Sequence, residues 1–275
     1  RRGRFSHGDR MADNRAVDAA ITSVGLAMAG ALVVLAAVLA LWLRLNLGGN
    51  ILWASLRALI QLLALGVVLT FLLAPGTELW WSFLWIVLMI PFAAGVVGRR
   101  APEVPRARLL SLIAFSLTTF AVLGLIFGLG IFPLEARVLV PLAGMTIGNS
   151  MTATVLVATR IVAEFKQQRP LIEVSLALGY TGSDAFRPYL RDALRTALVP
   201  QIETTKAVGI VFIPGAMTGL ILAGVPVFDA VKVQVVVMYL VLASVAVSTA
   251  TIAVGLGRTL FTSDQRAIHL EGERG

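Results

Sequence analysis

The stretch VLVPLAGMTIGNSMTATVLVAT, residues 138–159, contains no charged side chain. A helix needs about 20 predominantly apolar residues to cross the hydrocarbon core of a bilayer, so this stretch predicts a transmembrane helix. Its centre is unusual, because Gly, Met, Thr, Asn and Ser stand where most spans carry Leu, Val and Phe. The length of the stretch predicts a transmembrane helix, and the polar residues at its centre suggest a functional role as well.

Similar apolar runs recur along the chain. Of its 275 residues, 58% are hydrophobic and 14% are charged, against roughly 25% charged in an average soluble domain. The sequence therefore predicts an all-α, polytopic membrane protein with about seven transmembrane helices. The sixth run is short and contains Pro214, so a break or a tilt is expected there. The predicted spans are Ile21–Leu43, Ile51–Leu73, Leu79–Val97, Leu109–Leu129, Val138–Thr159, Ala207–Ala223 and Val233–Leu256.

Several chemistries are excluded by what the sequence lacks. There is no cysteine, and the two histidines, His7 and His269, lie near the termini, so no metal site is assigned with confidence. No GxxxxGK[ST] motif occurs, so the chain cannot hold ATP phosphates in the usual loop. We expect no catalytic residue and no enzymatic activity. The net charge of +8 is attributed to cytoplasmic loops and not to nucleic-acid binding.

Lysine and arginine predict the orientation in a cell (inner or plasma) membrane. They concentrate between spans three and four, between spans five and six, and after span seven, which places these segments and the C-terminal tail, 258–275, in the cytoplasm. An odd number of spans then places the N-terminus outside. Residues 1–10 precede Met11 and are set aside as an addition or an over-extended start. The predicted division is a tail of 1–20, a transmembrane domain of 21–257 and the C-terminal tail.

The segment 160–206 is the one long loop, and it is predicted to be helical and cytoplasmic. Pro170 can begin a first helix and Gly179 can end it. A second helix is predicted from about Arg187 to Leu198, with an apolar stripe and arginines every four residues. Two interpretations are open: a helix on the membrane surface, or an element on which a cytosolic protein docks.

Polar and small residues in two spans are candidate functional residues. Gly144 and Gly148 in span five, and Gly215 and Gly219 in span six, form GxxxG patterns that let helices approach closely. An amide within a bilayer must bond across helices or face water, which makes Asn149 a pathway residue. Methionine sulfur suits thiophilic metals, although packing is its commoner role. The predicted substrate pathway comprises Met145, Thr146, Asn149, Ser150, Met217 and Thr218, together with Arg57 and Gln61 on one face of span two.

Five stretches resemble the FetB-type family of ATP-binding cassette (ABC) permeases, which includes bacterial iron-export and plant aluminium-tolerance permeases. They are LRALIQLLALG (56–66), GMTIGNSMTAT (144–154), SLALG (175–179), ALVPQIETTKAVGIVFIPGAMTGLILAGVP (197–226) and DAVKVQVVVMY (229–239). The resemblance implies a homodimer in which each copy pairs with a cytosolic ATPase that binds ATP and Mg. It also implies a coupling loop, to which Glu173, Leu176 and Gly179 would belong.

The cargo that this resemblance implies is iron or a related metal species, and a nucleotide sugar is the alternative within the family. The chain departs from the family pattern at Gln201 and Glu203, where PTIN is usual, and at Ala216 and Leu220, where PGMMTGQ is usual. A stand-alone secondary transporter is a further alternative. The sequence argues against it, because no carboxylate or histidine is predicted at the centre of spans three to seven.

Overall fold

The computed structural model describes residues 23–45, 47–262 and 264–268. The predicted tail of 1–20, both histidines and the end of the C-terminal tail lie outside these residues. The chain divides into two compact units at Pro75 and Gly76, which are described separately. The regular elements of the described residues are helices: α1 Ser23–Trp42, α2 Gly48–Leu72, α3 Trp80–Arg100, α4 Ala107–Gly128, α5 Ala136–Gln167, α6 Arg169–Ala177, α7 Gly182–Ala207, α8 Gly215–Leu222 and α9 Val227–Thr259.

Six of these helices, α1 to α5 and α9, are long and apolar enough to cross a membrane. They confirm the predicted all-α, polytopic membrane fold. The helix ends agree with the predicted spans to within a few residues for α2, α3 and α4, whereas α5 and α9 extend beyond the predictions at both ends.

The predicted sixth span, Ala207–Ala223, is not one continuous helix. It begins as the end of α7, becomes irregular over 208–214, where Gly209 has a φ of +83°, and becomes helical again as α8. Pro214 has an extended backbone immediately before α8, as expected for a residue that restricts the chain at a helix start. The eight residues of α8 rise only about 12 Å, far less than the roughly 30 Å of hydrocarbon.

The first unit contains a helical pair. α1 and α2 pack on each other, with Ala37 and Ala40 buried between them. At Gly48 an added Cβ would lie 2.8 Å from Cγ of Leu41, so the close approach of the two helices there requires glycine.

The second unit is a bundle in which α9 packs on α4, α5, α7 and α8. One core cluster joins the starts of α5 and α9 to α3 and α4, through residues such as Leu139, Ala143 and Leu240. The other joins the ends of α5 and α9 to α6 and α7, through Phe165, Ile172 and Phe186. We call the end of the bundle that carries this second cluster the basic end. It also carries Arg99, Arg100, Arg106, Arg108, Lys166, Arg169 and Arg258.

The helices of the 160–206 segment are confirmed in number but not in extent. α6 has Pro170 in its first turn and ends in a Schellman motif, in which Gly179 (φ +91°) and Tyr180 donate to the carbonyls of Leu176 and Ser175. The predicted bounds of α7, Arg187–Leu198, are wrong. The helix begins earlier because the Thr181 hydroxyl accepts a hydrogen bond from the Asp184 amide and caps it.

Candidate functional site

The polar centre of α5 lies on an exposed face of the second unit. Gly148, Asn149 and Thr152 are exposed, and Gly144 and Met145 are partly exposed. Their spacing of three and four residues places them along one stripe of the helix. Such a stripe of small and polar groups is poorly suited to lipid contact.

Asn149 is bonded within its own helix. Its Nδ2 donates to the carbonyl oxygen of Met145 at 2.8 Å, and the Thr152 hydroxyl similarly reaches the carbonyl of Gly148 at 3.5 Å. These bonds account for the amide nitrogen of Asn149. Its Oδ1 accepts no hydrogen bond from the described residues, and it is therefore available to a solute, to water or to another chain.

Thr146 and Ser150 lie on the other side of α5. Both are fully buried, and neither hydroxyl has a hydrogen-bond partner among the described residues. With Thr154 they form a line at four-residue spacing that faces the bundle interior. The structure therefore separates these two predicted pathway residues from Asn149, because they lie on a different face of α5. The sequence pattern alone did not show which face is buried.

The predicted residues of the sixth span lie on α8. Met217 is partly exposed and Thr218 is exposed. The backbone amide of Met217 donates to Oε1 of Gln234 at 3.2 Å, and Gln234 is itself buried on α9. This side chain holds the start of α8 on the bundle. Sequence reasoning missed Gln234, although an amide within the otherwise apolar run of span seven is the signal that could have found it.

The four predicted packing glycines have space around them within one chain. An added Cβ at Gly148, Gly215 or Gly219 would meet nothing within 4 Å, and at Gly144 it would make an ordinary contact of 3.8 Å with Cε of Met89. Among the described helices of the second unit, none crosses closely at these positions. The glycines are therefore open to a helix from outside this unit.

Arg57 and Gln61 lie one helical turn apart on α2, as predicted, and both are exposed. They belong to the first unit, whereas the other predicted pathway residues belong to the second. Their proposed part in a substrate pathway therefore stays a prediction.

The predicted coupling residues lie on or just after α6, at the basic end. Glu173 is exposed and pairs with Arg169 at 2.8 Å. Leu176 faces inward against the core that contains Phe165 and Phe186, and Gly179 shapes the end of the helix. Glu173 and Gly179 are exposed, whereas Leu176 is partly buried.

An apolar ridge on α6 is exposed instead. It consists of Leu171, Val174 and Leu178, whose exposed fractions are 57%, 57% and 73%. Their spacing of three and four residues places them on one face. The sequence contains a signal for the ridge, because α6 has apolar residues on two faces. Ile172 and Leu176 pack α6 on the core, which leaves the other apolar face exposed.

On its other face, α6 packs on a core that contains an aromatic junction. The rings of Phe165 on α5 and Phe186 on α7 meet edge to face at 5.4 Å, and Phe261 follows at 5.7 Å from Phe165. Such aromatic pairs add about 0.5–1.5 kcal/mol each beyond area burial. These ring contacts join the ends of α5 and α7 to the segment that follows α9.

The apolar stripe on α7 is covered by protein. Ala193 and Ala197 are buried in the core with Ile161 and Ile252, and Leu190 and Leu194 pack against it. A helix lying on a membrane surface would turn such a stripe toward lipid. The contacts with α5 and α9 therefore argue against that interpretation of the segment.

The family model described as "Uncharacterised protein family (UPF0014)" matches residues 23–261. The chain belongs to the UPF0014 family. The UPF0014 membrane protein STAR2 of Oryza sativa subsp. japonica is 35% identical over 221 residues, which are 80% of this chain and 77% of that protein. No solved structure matches the chain.

Two other relatives carry informative names. The protein ALUMINUM SENSITIVE 3 of Arabidopsis thaliana is 33% identical to this UPF0014 protein over 219 residues, 80% of each chain. The probable iron export permease protein FetB of Escherichia coli (strain K12) is 34% identical over 233 residues, 83% of this chain and 88% of that protein. These matches confirm the resemblance on which the predicted family rested.

Proposed function

We propose that this UPF0014 protein is the transmembrane permease subunit of an ATP-driven ABC transporter. The exposed ridge of α6 carries the proposal: a surface of Leu171, Val174 and Leu178 at the basic end offers a cytosolic ATPase an apolar contact. ATP and Mg would be bound by that partner. Iron or a related metal species is the proposed cargo, since FetB is named a probable iron export permease.

The basic end is assigned to the cytoplasm. Its Lys and Arg residues far outnumber those at the other end, as the positive-inside rule requires. α5 has 32 residues and is therefore about 48 Å long, so it extends past a hydrocarbon core of roughly 30 Å. α6 would then lie in the cytoplasm beyond the membrane surface, where a cytosolic protein can reach it. With an odd number of crossings, the N-terminus would lie on the opposite side of the membrane.

A second copy of the chain would complete the transport path. The exposed stripe of α5, with Asn149 at its centre, needs either water or protein opposite it, and the open glycines on α5 and α8 allow a second chain to approach closely. ATP binding would move α6, and the aromatic junction would transmit this motion to α5 and α7. The cavity between the two copies would then alternate between the two sides.

The decisive test is transport by the full chain in liposomes, with and without the cytosolic ATPase proposed as its partner. We expect uptake or release of Fe²⁺ only when ATP and that ATPase are present together. A panel of other metal ions and nucleotide sugars would define the cargo. Transport driven by an ion gradient, by this chain alone and without ATP, would contradict the proposal.

A further inference from the structure

The relative direction of α5 and α9 determines the path of the chain that connects them, which includes α7. Phe165 lies in the last turn of α5 and Phe261 follows the end of α9, and their rings are 5.7 Å apart. Near the starts of the same helices, Leu139 and Val237 share the other core cluster. α5 and α9 therefore run in the same direction, and the chain between them must return across the whole bundle.

That return is made by α7, the irregular residues 208–214 and α8. α7 starts at the basic end, where the amide of Gly182 donates to Oε1 of Gln265 at 2.6 Å. α8 sits at the start of α9, through the bond from Met217 to Gln234. The eight residues of α8 account for about 12 Å of a hydrocarbon core of roughly 30 Å. More than half of the crossing is therefore made by residues that precede α8.

Of these residues, 208–214 are apolar, whereas the last two turns of α7 are polar. Ala197 is still in the core cluster with Val157 and Ile252, and beyond it α7 continues to Ala207. Glu203 and Lys206 lie about 9 and 14 Å further along the helix axis than Ala197. The polar side chains of this part of the helix are Gln201, Glu203, Thr204, Thr205 and Lys206.

The two charged groups are paired and largely exposed. Nζ of Lys206 lies 2.9 Å from Oε1 of Glu203, and the exposed fractions of the two side chains are 66% and 60%. Ionised groups at this depth do not face lipid, because hydrocarbon offers no polar partner. Water, or water together with a second chain, must lie opposite them.

We propose that residues 200–207 of α7 line an aqueous path within the membrane, with Glu203 as the group that contacts a cationic cargo. This rests on the proposed transport function. In the empty path Lys206 neutralises Glu203, which lowers the cost of holding a carboxylate at this depth. An arriving cation takes the place of the Lys206 ammonium, whose flexible stem lets it move aside. In a two-fold dimer the second copy presents the same pair.

The location can be tested without transport. The chain contains no cysteine, so an introduced cysteine is the only thiol of this protein that a reagent can modify. We would use the full chain in cell membranes with Thr204→Cys, since Thr204 is exposed and its hydroxyl bonds only to its own helix, at the carbonyl of Pro200. Two reagents are needed: a small charged methanethiosulfonate and a maleimide attached to a bulky polymer.

We expect the small reagent, and not the polymer, to modify Thr204→Cys. Two control variants set the limits of the assay. Ala177→Cys, on the exposed surface of α6, should react with both reagents, and Leu117→Cys, 53% exposed on the apolar helix α4, should react with neither. Reaction of Thr204→Cys with both reagents would place the end of α7 outside the membrane. Reaction with neither would place it against lipid or buried protein. Either result overturns the proposal.

The role of Glu203 needs a kinetic measurement on the reconstituted transporter, with Fe²⁺ as the probe. Glu203→Gln should raise KM for the metal by about tenfold or more, the usual effect of losing a charged partner, with a smaller effect on kcat. The double variant Glu203→Lys, Lys206→Glu, which keeps one carboxylate and one ammonium, should raise KM less than Glu203→Gln does. An unchanged KM in Glu203→Gln would contradict the role. Failure of ATP to drive transport would contradict the proposed function and leave the labelling pattern unaffected.

Discussion

Gly182 lies directly against the ring of Phe261: a Cβ added at residue 182 would come within 2.5 Å of two ring carbons. This contact joins the start of α7 to the segment that follows α9. Beside it Phe261 also pairs with Phe165, so one glycine permits three parts of the chain to meet. The contact fixes α7 at the basic end.

Gly182→Ala should destabilise the protein by about 1–3 kcal/mol, because the added methyl group must displace the ring or the helix. The measurement is thermal unfolding in detergent. Gly95→Ala is the matched control, since a Cβ there would meet nothing within 4 Å and alanine favours the helix. Equal melting temperatures for the two variants would show that the Gly182–Phe261 contact is looser than described.

Leu178→Asp should abolish co-purification of the ATPase, because it places a charge on the apolar ridge where the proposed partner binds. Ala163→Asp is the control at the same end of the bundle: residue 163 is exposed on α5 and is not part of the ridge. The readout is the amount of ATPase retained by the tagged chain. Equal retention by the two variants would exclude the ridge as the contact.

Glu173→Lys should also weaken ATPase binding while leaving the membrane fold intact. The change removes the ion pair with Arg169 and places two positive charges side by side on α6. Glu103→Lys is the control, because Glu103 pairs with Lys166 at 2.8 Å at the same end of the bundle. Binding of the ATPase and unfolding of the permease would be measured together. Normal complex formation by Glu173→Lys would count against its coupling role.

Asn149→Leu should abolish transport without preventing assembly. Its amide bonds only to the carbonyl of Met145 in the same helix, so its loss costs the fold little, while a path lined by leucine loses its polar contact. Thr159→Val is the control, because Thr159 is also exposed and bonded within α5, to the carbonyl of Val155. Transport of Fe²⁺ and the oligomeric state would be compared. Continued transport in Asn149→Leu would leave this residue a packing role alone.

Gly148→Ile should leave the subunit folded but disrupt the proposed dimer. A Cβ at residue 148 would meet nothing within 4 Å among the described residues, so the packing of the bundle is unchanged and a closely approaching second chain would be displaced. Gly124→Ile on α4 is the control, since that position is equally open. Oligomeric state in detergent, measured by light scattering, distinguishes them. A dimer that survives Gly148→Ile would place the interface elsewhere.

A carboxylate at the depth of Glu203 changes one argument drawn from the sequence. The absence of an ionisable group at the centre of spans three to seven counted against an ion-coupled transporter. With residues 200–207 of α7 inside the membrane, as proposed, Glu203 supplies such a group. Dependence on ATP, not residue content, therefore distinguishes an ABC permease from a secondary transporter.

The long helices could be predicted from the sequence because the hydrophobic requirement of a bilayer is local. A run of about 20 apolar residues must be helical to satisfy its own backbone there. Gly179 and Pro170 likewise marked the ends of α6, since helix caps depend on neighbouring residues. The family followed from contiguous motifs such as GMTIGNSMTAT (144–154).

The sequence by itself thus determined the all-α membrane fold, six of the seven predicted spans and the polar centre of α5. Only the tertiary structure decided which residues of that centre are exposed: it buried Thr146 and Ser150 and left Asn149 on the surface. It also decided that α7 returns across the bundle, because α5 and α9 run in the same direction. Helix direction and facing depend on contacts between distant residues, such as Phe165 with Phe261, which no local pattern specifies.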